Sequence, residues 1–209
     1  MTIRMRFAFF SFIFLAFFLF ACGGGTKLTS VNGPKSFAGE PFQKMMILAV
    51  AKTPENQKLF EDAFAAAVDA SGTRAIAASA VLPAGTDVTK EIVVDTARKE
   101  GVDCVLVTHL IRVGQRKVDV PVAPAGSQSP INDGSFYNYY PVAYSYVHYP
   151  DLEKEQAYVR LKTIFYAVEN QKKLWSASSE SVEPKSVQQM VKQLAPKIIA
   201  SLEEYRLIN

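Results

Sequence analysis

Cysteine and histidine are scarce in this chain, whose 209 residues include two of each. Cys22, Cys104, His109 and His148 stand far apart or in unlike surroundings, and no pair has the spacing of a zinc-binding motif. We therefore predict no metal site and no cofactor. Cys104 lies in the apolar run Val102–Val107 with no base beside it, which predicts a buried core residue and not a catalytic thiolate.

Excess charge is also small. The chain has 23 Lys and Arg against 20 Asp and Glu, a net charge of +3. Arg4 and Arg6 stand before the long apolar stretch at the N-terminus, so the chain that follows this stretch is nearly neutral. Nucleic-acid binding needs a dense basic face that displaces counterions from phosphates. We therefore expect no nucleic-acid partner.

The first 21 residues have the layout of a secretory signal peptide. Two basic residues precede the apolar run Phe7–Ala21, which is shorter than the roughly 20 residues of a membrane-spanning helix. The run ends in Leu19-Phe20-Ala21-Cys22, followed by three glycines. This ending resembles the signal of bacterial lipoproteins, in which the peptidase cuts before the cysteine. An uncleaved anchor helix and an ordinary signal peptide are the alternatives.

The lipoprotein resemblance implies an anchor. It makes Cys22 the lipidation site, carrying a diacylglycerol on its thiol and a further acyl chain, such as palmitate, on its amine. Two or three acyl chains hold a protein stably on a membrane, whereas one does so only marginally. Gly23 in place of Asp resembles lipoproteins that Gram-negative bacteria send to the outer membrane. The expected location is the periplasm-facing side of that membrane.

Three segments follow from these patterns. Residues 1–21 are the predicted signal peptide. Residues 22–44 are rich in Gly, Ser, Thr and Pro, and are predicted to form a flexible lipid-anchored tether with a reach of roughly 25 Å. Residues 45–209 are the predicted folded domain, with a Tyr-rich insert at 127–150.

The first half of this domain alternates apolar strands with amphipathic helices. Strands are predicted at Met45–Ala51, Arg74–Leu82 and Cys104–Val113, and helices at Glu55–Ser71 and Val88–Lys99. A β-α-β-α-β order builds a parallel sheet with right-handed crossovers.

The second half has the pattern of antiparallel strands with one wet face. Polar and apolar residues alternate at Arg116–Val122 and Ala157–Glu169, and Leu174–Val182 is a further strand. A final helix is predicted over Val187–Arg206, kinked or interrupted at Pro196. The predicted fold class is therefore α/β: a three-layer-like parallel unit, then antiparallel strands and a C-terminal helix, in a single domain.

The stretch from Met46 to Leu207 resembles a family of uncharacterised bacterial lipoproteins. The segments Ile47–Ala51, Gly101–Thr108 and Lys172–Ser176 carry this resemblance. The layout is similar to small envelope domains in the curli-secretion lipoprotein, in lipoprotein activators of penicillin-binding proteins and in the N-terminal domain of the Tol-Pal β-propeller protein. The resemblance implies a shared architecture and compartment, and it transfers no functional residues.

Signs of catalysis are few. The helix after the first strand opens with Pro54, which has no N–H for a phosphate, and no Gly-x-Gly precedes it, so no nucleotide is expected. His109 alternates with apolar residues and is expected to be structural. Asp151, Glu153 and Glu155 are predicted to form a solvated turn and not a carboxylate pair. We therefore predict that the chain is not an enzyme.

One segment is unusual in composition. Residues 136–149 hold six of the nine tyrosines, beside one phenylalanine and one histidine. Tyrosine offers a large contact area at low entropic cost, so such a segment contacts an envelope protein or peptidoglycan, lies on a membrane, or covers the domain's own sheet. The candidate binding residues are Phe136, Tyr137, Tyr139, Tyr140, Tyr144, Tyr146 and Tyr149.

These observations predict a membrane-anchored envelope lipoprotein that is a non-catalytic binding or assembly module. Its expected partners are the membrane, through lipidated Cys22, and an envelope protein or peptidoglycan. The alternatives are a subunit of an oligomeric envelope complex and a hydrolase with an unrecognised site.

Overall fold

The computed structural model describes residues 25–34, 37–83, 88–120 and 152–209. Six strands and four helices form within these residues, and the strands make one sheet. In chain order the elements are β1 (Thr26–Asn32), β2 (Lys44–Val50), α1 (Pro54–Ala70), β3 (Arg74–Ala77), α2 (Ala78–Val81), α3 (Lys90–Lys99), β4 (Cys104–Val120), β5 (Leu152–Ala167), β6 (Lys173–Val182) and α4 (Val187–Glu204). The sheet order is β1-β6-β5-β4-β2-β3. The predicted α/β class is confirmed.

The parallel half of the sheet consists of β3, β2 and β4, with β2 in the middle. This confirms that the three predicted strands are parallel neighbours. Met45, Met46 and Ile47 are fully buried, as expected of a central strand covered on both faces.

The second predicted strand, Arg74–Leu82, is too long. It ends at Ala77, and Ala78–Val81 form the short helix α2. The backbone N–H of Ser79 donates to the side chain of Glu61 at 2.7 Å instead of joining a strand ladder. A buried side-chain acceptor therefore ends the strand.

The antiparallel half consists of β4, β5, β6 and β1. Strand β4 runs without a break to Val120, so most of the separately predicted strand Arg116–Val122 is its continuation. A bulge between Leu110 and Arg112 shifts the register against β5. Residues 115–120 and 152–157 pair with each other beyond the Tyr158–Val182 pair at the end of β6. These two stretches, called the ribbon below, project from the sheet.

The predicted flexible tether at 22–44 is wrong for residues 26–32, which form the edge strand β1 on β6. Leu28 and Val31 pack against the main core. The side chain of Thr26 is buried, and its Oγ1 lies 2.8 Å from Oγ of Ser181. Backbone pairing with β6, together with a few apolar and hydroxyl contacts on one face, thus docks this polar segment on the sheet.

Residues 37–43 are also docked. The backbone N–H of Phe42 donates to the carbonyl of Leu207 at 2.8 Å. The Phe42 ring stacks on Phe37 and meets Phe165 edge-on, with ring centroids 5.4 and 5.2 Å apart. The ordered domain therefore begins well before Met45.

Two cores lie on the two faces of the sheet. The helical face is covered by α1 and α4 and holds the larger core, including Cys104, Phe165 and Trp175. Trp175 is fully buried, as predicted, and its Nε1–H donates to Oγ of Ser201 at 3.3 Å. On the opposite face, Ala97 of α3 joins a smaller cluster over β2 and β4.

The helix ends follow the sequence signals. The Oγ1 of Thr53 accepts from the N–H of Asn56 at the start of α1, and Oγ of Ser186 accepts from the N–H of Gln189 at the start of α4. Helix α4 continues through Pro196, so the predicted interruption is wrong. Pro196 is exposed, and water can satisfy the carbonyl that loses its partner. None of the helices in the described residues has the length and apolarity needed to cross a membrane.

Candidate functional site

The sequence-predicted site residues lie outside the described residues. This holds for the lipidation residue Cys22 and for the aromatic segment, both of which stay predictions. The aromatic candidates Phe136, Tyr137, Tyr139, Tyr140, Tyr144, Tyr146 and Tyr149 belong to residues 121–151, which connect the ends of β4 and β5 in the ribbon. His148 and Asp151 belong to the same connection.

The second cysteine is a core residue, as predicted. Cys104 is fully buried, and burial raises the pKa of its thiol well above the usual value, with the neighbouring Asp103 adding to the effect. A thiol held protonated in this way is a poor nucleophile and a poor metal ligand. His109, also predicted to be structural, is a half-buried residue of β4.

The predicted acidic turn is corrected. Glu153 and Glu155 belong to strand β5, where Glu155 is exposed. The pairing of β5 with β4 extends to its first residue, Leu152, so the strand takes up the stretch expected to be a turn. Within the described ranges, no group of three or more His, Cys, Asp and Glu could hold a metal ion.

Sequence reasoning missed a buried carboxylate at the carboxyl end of β2. Glu61 of α1 is fully buried, and its Oε1 accepts from the backbone N–H of Ala49 at 2.9 Å and from Nε2 of Gln57 at 3.0 Å. Its Oε2 accepts from Ser79. The signal was an acid beside Phe60 and Phe64 on the buried side of an amphipathic helix. Glu61 fastens α1 to β2 and α2.

An apolar cavity lies on the opposite face, at the carboxyl end of β2 and beside α3. Its volume is about 640 Å³. Val50 and Val88 at this cavity are 58% and 46% exposed. Among the residues that the structure describes, the lining is mostly aliphatic, without a carboxylate, histidine or cysteine: Leu48, Ala49, Val50, Ala51, Gln57, Val88, Thr89, Lys90, Val93, Val94, Val105, Val107, Tyr166, Ala167, Val168 and Gln171.

A second feature of the same side of the sheet is a group of cations around one acid, which we call the cationic face. The register places residues of four strands in one row: Arg112 faces Arg160, Arg160 faces Glu180, and Glu180 faces Lys27. The cationic face consists of Lys27, Arg112, Arg116, Arg160 and Lys162.

Glu180 lies beneath these cations with 2% of its side chain exposed. Arg116 donates to its Oε1 at 2.9 Å, Arg160 donates to its Oε2 at 2.8 Å, and Nζ of Lys27 lies 3.8 Å from Oε1. The hydrogen bond from Arg160 lowers the pKa of the Glu180 carboxyl; burial acts against it, and Arg116 adds to the lowering. The acid is therefore ionised at neutral pH.

Tyr158 forms the base of this cluster. The guanidinium carbons of Arg116 and Arg160 lie 5.8 and 5.1 Å from the centre of its ring, within the range of cation–π contacts. Gly114 on β4 makes room for the ring, because a Cβ added there would come within 2.7 Å of the Tyr158 hydroxyl oxygen. The two arginines are thus fixed by Glu180 on one side and by Tyr158 on the other.

Comparisons with known proteins give likenesses of structure. No protein-family model matches the sequence, and no curated protein matches it. The PelC dodecamer from Paraburkholderia phytofirmans is similar with a TM-score of 0.46 and 15% identity, covering 90% of this chain and 100% of that chain. Lipoprotein GNA1162 from Neisseria meningitidis is similar with a TM-score of 0.42 and 14% identity, covering 77% and 98%.

A third similar structure is the hypothetical protein CT253 from Chlamydia trachomatis, with a TM-score of 0.39 and 9% identity, covering 81% of this chain and 99% of that chain. The solved structures that this chain is similar to thus include a lipoprotein. At these identities the likeness concerns the course of the backbone, and the dodecameric state is a property of PelC.

Proposed function

We propose that this protein is a lipid-anchored envelope lipoprotein that acts as a non-catalytic binding or assembly module. The observation that carries the binding function is the aliphatic lining of the cavity at the end of β2. The lipoprotein-like sequence ending at Cys22 supports the anchor, and Gly23 supports an outer-membrane location.

The cavity has the character of a binding site. Ligands of parallel sheets bind beyond the carboxyl ends of the strands, and this cavity lies at the carboxyl end of β2. Its aliphatic floor suits an apolar group, while Thr89, Lys90 and Gln171 supply polar atoms that orient a ligand. Acid–base or nucleophilic catalysis depends most often on a carboxylate, histidine or activated thiol, and the described residues of the lining provide none of these.

A protein segment is the partner that fits this cavity better. Peptidoglycan presents sugars, whose hydroxyls need hydrogen-bonding groups that an aliphatic wall lacks. An apolar side chain of an envelope protein would instead cover Val50 and Val88, which are both exposed. The aromatic residues between 136 and 149 are a proposed second contact.

Site-specific photo-crosslinking in living cells tests the binding function. A photoreactive residue at Val88 reports on the cavity, and one at Lys197, an exposed residue of α4 on the other side of the sheet, is the control. We expect a discrete envelope protein to crosslink from position 88 alone. Val93→Phe, which fills the cavity, should remove that crosslink. A crosslink unaffected by Val93→Phe, or the same pattern from both positions, would contradict the proposed site.

A further inference from the structure

We propose that the cationic face docks on anionic phospholipid headgroups, so that the domain lies with this side of its sheet against the membrane that holds it. The inference rests on the proposed lipid anchor at Cys22 for its geometry. The binding of headgroup phosphates rests on side chains that the structure describes.

Charge is distributed unevenly over the domain. The chain beyond the signal segment is nearly neutral overall, yet five cations share one side of β1, β6, β5 and β4. Glu180 is the one carboxylate at the strand positions of that side in the part of the chain that the structure describes. The remaining residues beyond the signal segment therefore include more acids than bases. This asymmetry gives the domain a preferred orientation in an electric field.

The cations are presented outward. The side chains of Lys27, Arg116 and Arg160 are 65%, 37% and 46% exposed, whereas Glu180 is covered. Arg112 is exposed and faces Arg160 across the strands, a like-charge pair that an external anion would relieve. Guanidinium groups bind phosphate oxygens in a two-pronged geometry, and Tyr158 and Glu180 already fix two of them.

The predicted anchor lies beside these residues. The carbonyl of Gly25 accepts a hydrogen bond from the N–H of Val182 at 3.2 Å, so the chain enters the sheet at the end of β6. Cys22 is three residues earlier in the sequence, a span of at most about 10 Å. The row from Lys27 to Arg112 begins two residues after Gly25. A lipidated Cys22 would therefore hold the cationic face close to headgroups.

The ribbon excludes an upright orientation, in which the strands stand perpendicular to the membrane. It projects from the same end of the sheet at which the chain enters, by six residue pairs or about 20 Å. This is farther than the three residues before Gly25 can reach. An upright sheet would push the ribbon, with Arg116 and Lys154, into the hydrocarbon, which charged residues avoid. The strands must instead lie roughly along the membrane surface, and the side of β1, β6, β5 and β4 that no described helix covers is the cationic face.

Labelling of single cysteines tests this orientation. The lipidated protein is purified from membranes and reconstituted in vesicles of phosphatidylcholine, with or without phosphatidylglycerol. Ser30→Cys reports on the cationic face, and Gln188→Cys at the start of α4 reports on the helical face. Both positions are exposed, and the buried Cys104 does not compete for a water-soluble maleimide.

We expect labelling at position 30 to be several-fold slower with phosphatidylglycerol and to recover at high salt, because screening weakens contacts between exposed charges. Labelling at position 188 should be the same on both vesicles. The double variant Arg112→Glu, Lys162→Glu should abolish the protection. The matched variant Lys192→Glu, Lys197→Glu, on exposed positions of α4, should keep it.

Equal labelling of position 30 on both vesicles would overturn the proposal. Protection that follows the protein-to-lipid ratio and not the lipid charge would also overturn it and would indicate a second copy of the chain. The intact mass of the same sample shows separately whether Cys22 is acylated. If it is not, the anchor fails, and salt-sensitive co-sedimentation of the full chain with the anionic vesicles still tests the face.

Discussion

The carboxylate of Glu61, fully buried in α1, accepts a hydrogen bond from the backbone N–H of Ala49 at 2.9 Å. The same carboxylate also binds the N–H of Ser79. One side chain thus satisfies two backbone donors just beyond the Ile47–Ala77 pair, where the ladder between β2 and β3 ends. This connection holds the carboxyl end of β2 to α1 and α2.

Replacing this carboxylate should therefore be costly. Glu61→Ala leaves two backbone donors unsatisfied, at about 1–3 kcal/mol each, so we expect a loss of about 2–6 kcal/mol in the free energy of unfolding. Denaturant unfolding measures it. Asp62→Ala is the control, because Asp62 is half-exposed and pairs with Lys58 on the same helix. It should change stability by less than about 0.5 kcal/mol. Similar losses in both variants would contradict the role of Glu61.

The ion cluster on the other side of the sheet predicts a pH dependence. The pKa of Glu180 is lowered in the folded state, mainly by the hydrogen bond from Arg160. A group with a lowered folded pKa stabilises the protein above its unfolded pKa, near 4.5, and this stabilisation is lost as the pH falls through the folded pKa. Glu180→Gln should therefore be less stable than the unmodified protein at pH 7, and the difference should shrink in acid.

Unfolding curves at several pH values measure this difference. Glu183→Gln is the matched control, because Glu183 is 40% exposed and pairs with the 59% exposed Lys154 at 3.3 Å. Its effect should be small at every pH. A Glu180→Gln variant whose deficit does not depend on pH would show that the carboxylate charge is not what stabilises the cluster.

The sequence predicts the parallel half of this fold well. Strand β2 is apolar on both faces, and the starts of α1 and α4 carry the expected capping residues Thr53 and Ser186. These signals lie within single short segments of the chain, so they can be recognised without knowledge of the tertiary contacts. Trp175 also follows its local pattern and is buried.

Strand β1 and the cationic face depend on tertiary context. Only Leu28 and Val31 of β1 pack against the core, too few to stand out in a stretch rich in Gly, Ser and Thr. The bulge between Leu110 and Arg112 is decisive for the face. Without it, strict alternation would put Arg112 and Arg116 on the same side as Leu106 and Leu110, which is the helical face. The small net charge of the whole chain also conceals the cluster, because it does not show that several cations lie on one side of the sheet.

The aromatic segment between β4 and β5 gives a further prediction. If a partner covers the rings, replacing Tyr139, Tyr140, Tyr144 and Tyr146 together with Ser should leave the melting temperature nearly unchanged and weaken association with the envelope. We expect this outcome, measured on the lipidated protein by thermal unfolding and by co-fractionation. A decrease of several kcal/mol in the free energy of unfolding would mean that the rings cover the domain itself, since each buried aromatic side chain contributes roughly 1.5–3 kcal/mol.

Lipidation of Cys22, four residues before the edge strand β1, is the basis of both the proposed location and the proposed orientation of the domain. The intact mass of the protein purified from cell envelopes tests it most directly. We predict a chain that begins at Cys22 and carries the added mass of two or three acyl chains, and a Cys22→Ala variant that remains an unprocessed precursor without acyl groups. A mature chain with an unmodified Cys22, or cleavage at another bond, would contradict it.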